Sequence, residues 1–327
     1  MKRRSYIILL SIITIIVLVV IFLLNYKSIS VPGYGDINIF FGRAFRGSVV
    51  ALESHAGKLI NDGDFDAAKE IGGIITKYGG DRKPVGFLII AESSWRAGSI
   101  KESVKALSEA VRSGGLNNSE LSLMLSNFAS SCLDKLITEK PFRIYPAVSM
   151  LYILENSKSP TFEKYSKDVQ ILISNTIPIE VQFVHKRDKK YLTKDSALND
   201  VKSEGVFASK KEAPVLLLNE IKKVVDFDDI LTDGDILEYI RDASVYELLN
   251  VDVKRVPMNE EPLPEDILNE EKEQLGGSIA NTTEEDYGYQ GEVTYIVKIP
   301  NFSIDSLLGR CKVDLNSRIK QEYAKTE

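Results

Sequence analysis

The chain has 327 residues, 44% of them hydrophobic, which is enough apolar material for two modest cores and excludes disorder throughout. Its 41 basic and 47 acidic side chains leave a net charge of −6, without the concentrated positive face that a phosphate backbone requires, so nucleic acid is not an expected partner. Cys132 and Cys311 show no metal spacing or redox pairing and read as buried thiols, with a disulfide between them as the alternative in an oxidising compartment, and neither His55 nor His185 sits in a zinc or Ser-His-Asp signature; no metal, cofactor or catalytic centre is expected.

The N-terminus begins with a short tail, residues 1–5, carrying Lys2, Arg3 and Arg4. From Tyr6 to Leu24 the chain is almost wholly apolar, broken only by Ser11 and Thr14, close to the roughly 20 residues a helix needs to cross a bilayer. This predicts a transmembrane anchor over residues 6–26 in the cytoplasmic (inner) membrane. The basic tail holds the N-terminus inside and places the bulk of the chain in the periplasm or extracytoplasmic space. A cleaved secretory signal, with Ser28 and Ser30 as its small residues, is the competing reading, but the apolar run exceeds the usual length of about 7 to 15. Residues 27–45 then read as a membrane-proximal linker, in which Phe40, Phe41 and Phe45 beside Arg43 and Arg46 suit either a headgroup layer or a cap on the first helical repeat.

The next stretch repeats. Asp62, Gly63, Asp64 and Phe65 lead into a helical run ending at Tyr78, Gly79 and Gly80, and Ala97, Gly98, Ser99 and Ile100 lead into another ending at Ser113, Gly114 and Gly115, offset by 35 residues. Gly63 and Gly98 suit a tight turn between helices, Asp64 or Ser99 suits a helix N-cap, and the paired glycines suit helix ends. Ala56 and Ala91 stand at equivalent places where helices approach closely, and Leu52 and Phe87 at equivalent core places.

This pattern resembles the tetratricopeptide repeat, with Gly63 and Gly98 as its turn glycine, Phe65 and Ile100 as the large apolar residue two places on, and Ala68 and Ser103 as its small residue. It departs from the family in lacking the tryptophan and tyrosine of the first helix and in replacing the terminal proline by Gly80 and Gly115. A degenerate third copy runs through Leu121 to Ile137, breaks at Lys140 and Pro141, and continues through Ala147, Leu151 and Leu154. Phe162, Tyr165, Val169, Leu172 and Ile173 then form one face of a closing helix, so the repeats cover residues 46–176. The resemblance implies a concave face formed by the first helices, into which Glu53, Ile60, Asn61, Leu88, Glu92, Trp95 and Arg96 point as partner-binding residues.

Residues 177–327 change character. Ile179, Val181 and Phe183, and later Val293, Tyr295, Val297 and Ile299, alternate with polar residues as half-buried strands do. Helices are predicted over Ala213 to Val225, Asp235 to Leu249 and Ile304 to Ala324, with Gly309 weakening the last, and together these give a smaller α+β domain. Between Asp226 and Asp286 stand 19 carboxylates against 4 basic residues, densest at Asp226, Asp228, Asp229, Asp233 and Asp235. Leu231 and Ile240 occupy places where a calcium loop needs oxygen ligands, so these acids read as a solvated face. Residues 259–287 read as an exposed loop.

The fold class expected is therefore mainly α: a transmembrane helix, a tetratricopeptide-like solenoid of α-hairpins, and the α+β domain. Its expected function is that of a membrane-anchored scaffold or assembly factor, not an enzyme, with other proteins of a membrane or cell-envelope assembly as partners. The alternative from another class is a metal-dependent glycosyltransferase using Asp226 and Asp228 or Asp233 and Asp235, which the small C-terminal domain and the missing glycine-rich phosphate loop disfavour.

Overall fold

The computed structural model describes residues 2–227, 230–257 and 287–324, and side chains within it except those of 2–12, 22 and 257. Asp228, Asp229 and, save for Tyr287, the loop read over 259–287 lie outside the described residues. The fold is mainly helical and divides into two compact units, residues 1–170 with 314–327, and residues 171–313.

The chain opens with α1 (Lys2–Asn25). The expected anchor at 6–26, and with it the single-pass inner-membrane placement, is corrected here: among the described residues no helix is long and apolar enough to cross a membrane. The side chains described in α1 begin at Ile13 and end at Asn25.

Residues 27–45 are not a linker. They form most of a small antiparallel sheet of β1 (Tyr26–Val31), β2 (Gly35–Phe40) and β3 (Arg43–Ala44). Gly33 and Gly35, at φ 65° and 103°, supply the left-handed backbone that turns β1 into β2, and Ile29 faces Ile37 across the pair. Val31, Ile37 and Ile39 are buried in one core with Val49, Leu52 and Ala56. The sheet thus caps the first helix with aliphatic side chains, while Phe41 and Phe45 remain 57% and 62% exposed.

The helices of the first unit come in pairs: α2 (Arg46–Asp62) with α3 (Phe65–Tyr78), α4 (Lys83–Arg96) with α5 (Ile100–Arg112), and α6 (Ser119–Thr138) with α7 (Ile144–Asn156), the last two separated by the two-residue strand β4 (Phe142–Arg143). The two tight turns share one geometry, with Gly63 at φ 84° and Gly98 at φ 82°. Asp64 caps α3 by accepting from the Ala67 amide at 3.2 Å, whereas the Ser99 hydroxyl makes no such bond to α5. Ala56, Ala68, Ala91 and Ser103 are fully buried where helices meet. Phe87 departs from its expected equivalence with Leu52: it is half-buried, and Leu88 and Ile89 fill the core in its place. Helices α3 and α4 cross closely: a Cβ on Gly72 would stand 2.8 Å from the Gly86 carbonyl oxygen.

Two helices cover the outer parts of this array. On α8 (Phe162–Ser174), Tyr165, Val169 and Ile173 are buried, and the Tyr165 hydroxyl donates to Asp134 of α6 at 2.7 Å. The single helix expected over Ile304 to Ala324 is in fact two, α11 (Ile304–Arg310) and α12 (Leu315–Tyr323), separated by a turn with Lys312 at φ 55°. Helix α12 belongs to the first unit: Leu315, Ile319 and Tyr323 are buried against α5 and α7, and the rings of Tyr323 and Tyr152 lie 4.9 Å apart.

The second unit is a three-stranded antiparallel sheet in the order β5 (Ile177–Lys186), β8 (Tyr287–Phe302), β7 (Val245–Pro257), with helices packed on it. The two alternating runs are the paired strands β5 and β8, with Ile179 opposite Ile299, Val181 opposite Val297 and Phe183 opposite Tyr295. Strand β7 replaces the C-terminal half of the helix expected over Asp235 to Leu249; α10 (Asp233–Ala243) ends at Ser244, whose backbone is extended at ψ 138°. Helix α9 (Lys194–Val224) is longer than the run from Ala213 to Val225, and the two-residue strand β6 (Val225–Asp226) follows it. It crosses β8 closely: a Cβ on Gly205 would collide with Val293, and one on Gly291 with Val201 at 2.7 Å.

Candidate functional site

The first helices of the three pairs, α2, α4 and α6, are neighbours and give the first unit one continuous face. Arg82, in the turn before α4, clasps all three. Its Nε and Nη2 donate to the two carboxylate oxygens of Glu53 on α2, each at 2.6 Å, and its Nη1 reaches Glu120 on α6 at 3.5 Å. The side chains of Arg82 and Glu53 are only 13% and 15% exposed, so this bidentate pair is shielded from solvent screening and fixes the spacing of α2 against α4.

At the other end of α4 the face is aromatic. Trp95 lies edge-on to Phe128 of α6, with centroids 6.4 Å apart and planes at 82°. Both rings are half-buried, Met124 stands one turn before Phe128 on the same stripe of α6 at 38% exposure, and the guanidinium of Arg96 donates to Glu92 at 2.8 Å beside them. A half-buried indole and phenyl pair, with Met124 one turn away on α6 and Arg96 next in sequence on α4, offers apolar area with a polar rim, the composition found at protein-binding hot spots.

The seven residues expected on this face divide. Glu53 is held in the Arg82 clasp, Glu92 pairs with Arg96, Trp95 forms the aromatic pair, and Asn61 and Arg96 are exposed. Ile60 and Leu88 depart from that expectation: at 4% and 7% exposure they pack in the core and offer almost no surface on this face. Arg82, Glu120, Met124 and Phe128 were not anticipated. A signal for the last three exists in the spacing, since Ala56, Ala91 and Ser126 stand 35 residues apart and are all buried, which carries the register into α6.

No family model, curated protein or solved structure matches this chain.

The remaining chemistry-bearing residues have structural employment. His55 shares a 3.2 Å hydrogen bond with the Pro32 carbonyl and lies against Tyr34, holding the hairpin turn to α2. Cys132 and Cys311 are free thiols, and burial pushes the Cys132 thiol well above its ordinary range, which removes thiolate reactivity. Asp235 forms a reciprocal capping box with Thr232 at the start of α10, and Asp233 bridges Lys222 at 2.6 Å. Among the described residues no group of acids, cysteines or histidines is arranged to hold a metal. In the second unit, Arg187 donates to Asp200 at 3.0 Å, and Tyr191 also bonds Asp200; burial and then that bond push the Tyr191 phenol up to about 12, so it stays a donor at all ordinary pH.

Proposed function

We propose that this chain is a protein-binding scaffold or assembly factor whose first unit is a tetratricopeptide-like array, and that it captures its partner on the face formed by α2, α4 and α6. The observation that carries this reading is the half-exposed Trp95–Phe128 pair at that face, in an array whose hairpins are otherwise locked by buried small residues and matched turns. A rigid array with one adaptable aromatic patch suits recognition, since the scaffold loses little conformational freedom when a partner binds. The fold alone does not name that partner.

The experiment places a photo-crosslinking amino acid at Met124 on the proposed face or at the exposed Lys105 of α5, in cells making the full chain. Adducts to a discrete partner are expected from position 124 and not from position 105. Trp95→Ala should reduce capture at 124 about 30-fold, corresponding to a hot spot of about 2 kcal/mol. Equal adducts from both positions, or capture untouched by Trp95→Ala, refute the binding face.

A further inference from the structure

Strand β7 is the outer strand of its sheet, and among the described residues its free edge pairs with no other strand. It is 13 residues long, and Val245, Leu248 and Leu249 on it are 43%, 51% and 56% exposed. A long exposed edge with apolar side chains is an open template for a further strand.

Beside this edge lies a groove of about 390 Å³, between β7 and α9, lined by Lys202, Val206 and Lys210 of the helix and by Tyr246, Leu248 and Tyr295 of the sheet. Its floor is apolar and its rim is positive. No ion pair among the described residues reaches Lys202 or Lys210, whereas the acids nearby are engaged: Glu204 with Arg187 and Glu247 with Lys298. Arg241 adds a further positive charge close to the Tyr246 phenol.

The spacing of the helix side chains selects what fits. Lys202, Val206 and Lys210 follow one another at intervals of four residues, so they form a stripe with a step of about 6 Å and about 12 Å between the lysines. Residues on one face of an extended strand repeat every second position, about 6.6 Å apart, so positions i and i+4 lie about 13 Å apart. Helix α9 lies against the sheet here: the Tyr295 hydroxyl donates to the Lys202 carbonyl at 3.4 Å, Tyr295 is opposite Leu248, and Tyr246, two residues earlier on β7, lines the same groove as Lys210.

We propose that the free edge of β7 and this groove dock an extended strand of another protein with the pattern acidic–x–apolar–x–acidic. Its apolar side chain lies on Val206 and Leu248, its two carboxylates meet Lys202 and Lys210, and its backbone continues the sheet. This site is separate from the α2–α4–α6 face and stands or falls without it.

The probe is a blocked nonapeptide with glutamate at its third and seventh positions, valine at its fifth and threonine elsewhere, added to the full chain. Saturable binding by fluorescence anisotropy is expected, together with slowed amide exchange confined to residues 245–256. Lys202→Gln with Lys210→Gln, both at solvent-accessible positions, should weaken binding about tenfold, since each exposed ion pair contributes up to about 1 kcal/mol. A peptide with its glutamates moved to the fourth and sixth positions, on the opposite face, should weaken equally. Equal affinity for the two peptides, or binding without protection of β7, overturns the proposal. So does binding that appears only after removal of residues 259–286, because Glu261, Leu263 and Glu265 carry the same pattern and would then be the occupant of the groove.

Discussion

The crossing of α3 and α4 gives the sharpest test of the repeat packing, through two glycine substitutions of opposite sign. A Cβ on Gly86 would stand 2.6 Å from the Gly72 carbonyl oxygen, 2.7 Å from the Thr76 backbone nitrogen and 2.9 Å from Thr76 Cγ2. Two of these neighbours are backbone, so relief requires the helices to separate, and the cost belongs at the upper end of the usual overpacking range, about 3 kcal/mol. Alanine recovers about 1 kcal/mol of helix propensity over glycine, which leaves Gly86→Ala destabilised by about 2 kcal/mol. Gly73, also within α3, meets nothing within 4 Å, so Gly73→Ala should keep only the propensity gain and be stabilised by about 0.5 to 1 kcal/mol. Urea unfolding followed by the fluorescence of Trp95, the only tryptophan, reads this unit directly. With a slope of about 2 kcal/mol per molar, the two midpoints should lie more than about 1 M apart, on either side of the parent. A neutral or stabilised Gly86→Ala would show that the backbones of α3 and α4 do not touch, and would refute the crossing.

Three further outcomes are expected. Gly98→Val should destabilise the first unit by at least about 1 kcal/mol, because φ 82° is left-handed and open space around the glycine gives no compensating contact; an unchanged thermal melt would contradict the turn. Arg82→Ala should cost about 2 kcal/mol, since it strands the shielded Glu53 carboxylate, and Glu53→Gln in the same chain should recover part of that loss in a double-mutant cycle; additive costs would mean the clasp carries no coupling. The hydrogen bond from Lys69 holds the Glu102 carboxyl below its ordinary value. A carboxyl depressed in the folded state contributes its stability above the unfolded value near 4.5 and loses it as pH falls through the folded one. Glu102→Gln should therefore flatten the stability–pH curve below about pH 4.5 and remove less than about 1 kcal/mol above it, the pair being partly exposed. A variant whose acid limb matches the parent's would exclude this pair as its source.

How much the sequence discloses depends on how local each constraint is. The turns at Gly63 and Gly98 were legible because a left-handed backbone restricts residue type at one position, whatever surrounds it. The strands β5 and β8 were legible because apolar residues recur at every second position, Ile179, Val181 and Phe183 in one and Val293, Tyr295, Val297 and Ile299 in the other. Strand β7 was not: Ile236, Tyr239 and Ile240 set a helical period, and no proline or glycine after them marks the point at Ser244 where the chain becomes extended. Helix α9 was legible only in its C-terminal part, from Ala213. Pro214 sits inside it and is buried, and Gly205 marks a close approach to Val293, a long-range contact that no local pattern contains. The candidate face was half legible for the same reason, since Trp95 announces itself as the sole tryptophan, while its partner Phe128 lies in a copy whose turn glycine has been lost to Leu133.

The placement of α12 changes how the repeat array must be understood. A stack of hairpins has two apolar ends, and an array of repeats needs each of them covered by something with a polar outer surface. At the start this is done by the sheet β1–β2–β3, whose Val31, Ile37 and Ile39 enter the core while Lys27, Ser28 and Asp36 face outward. Helix α12 does the corresponding work on α5 and α7, with Leu315, Ile319 and Tyr323 inward and Asn316, Lys320 and Gln321 outward. That helix is the last one described, and 139 residues of the second unit intervene between it and α8. The first unit is consequently discontinuous, and its core is complete only once the end of the chain has returned to it. Tyr323, buried beside Tyr152 and with its phenol driven up by burial, sits at the point of return. The two units are thus joined by two connections instead of one, at 170–171 and at 313–314.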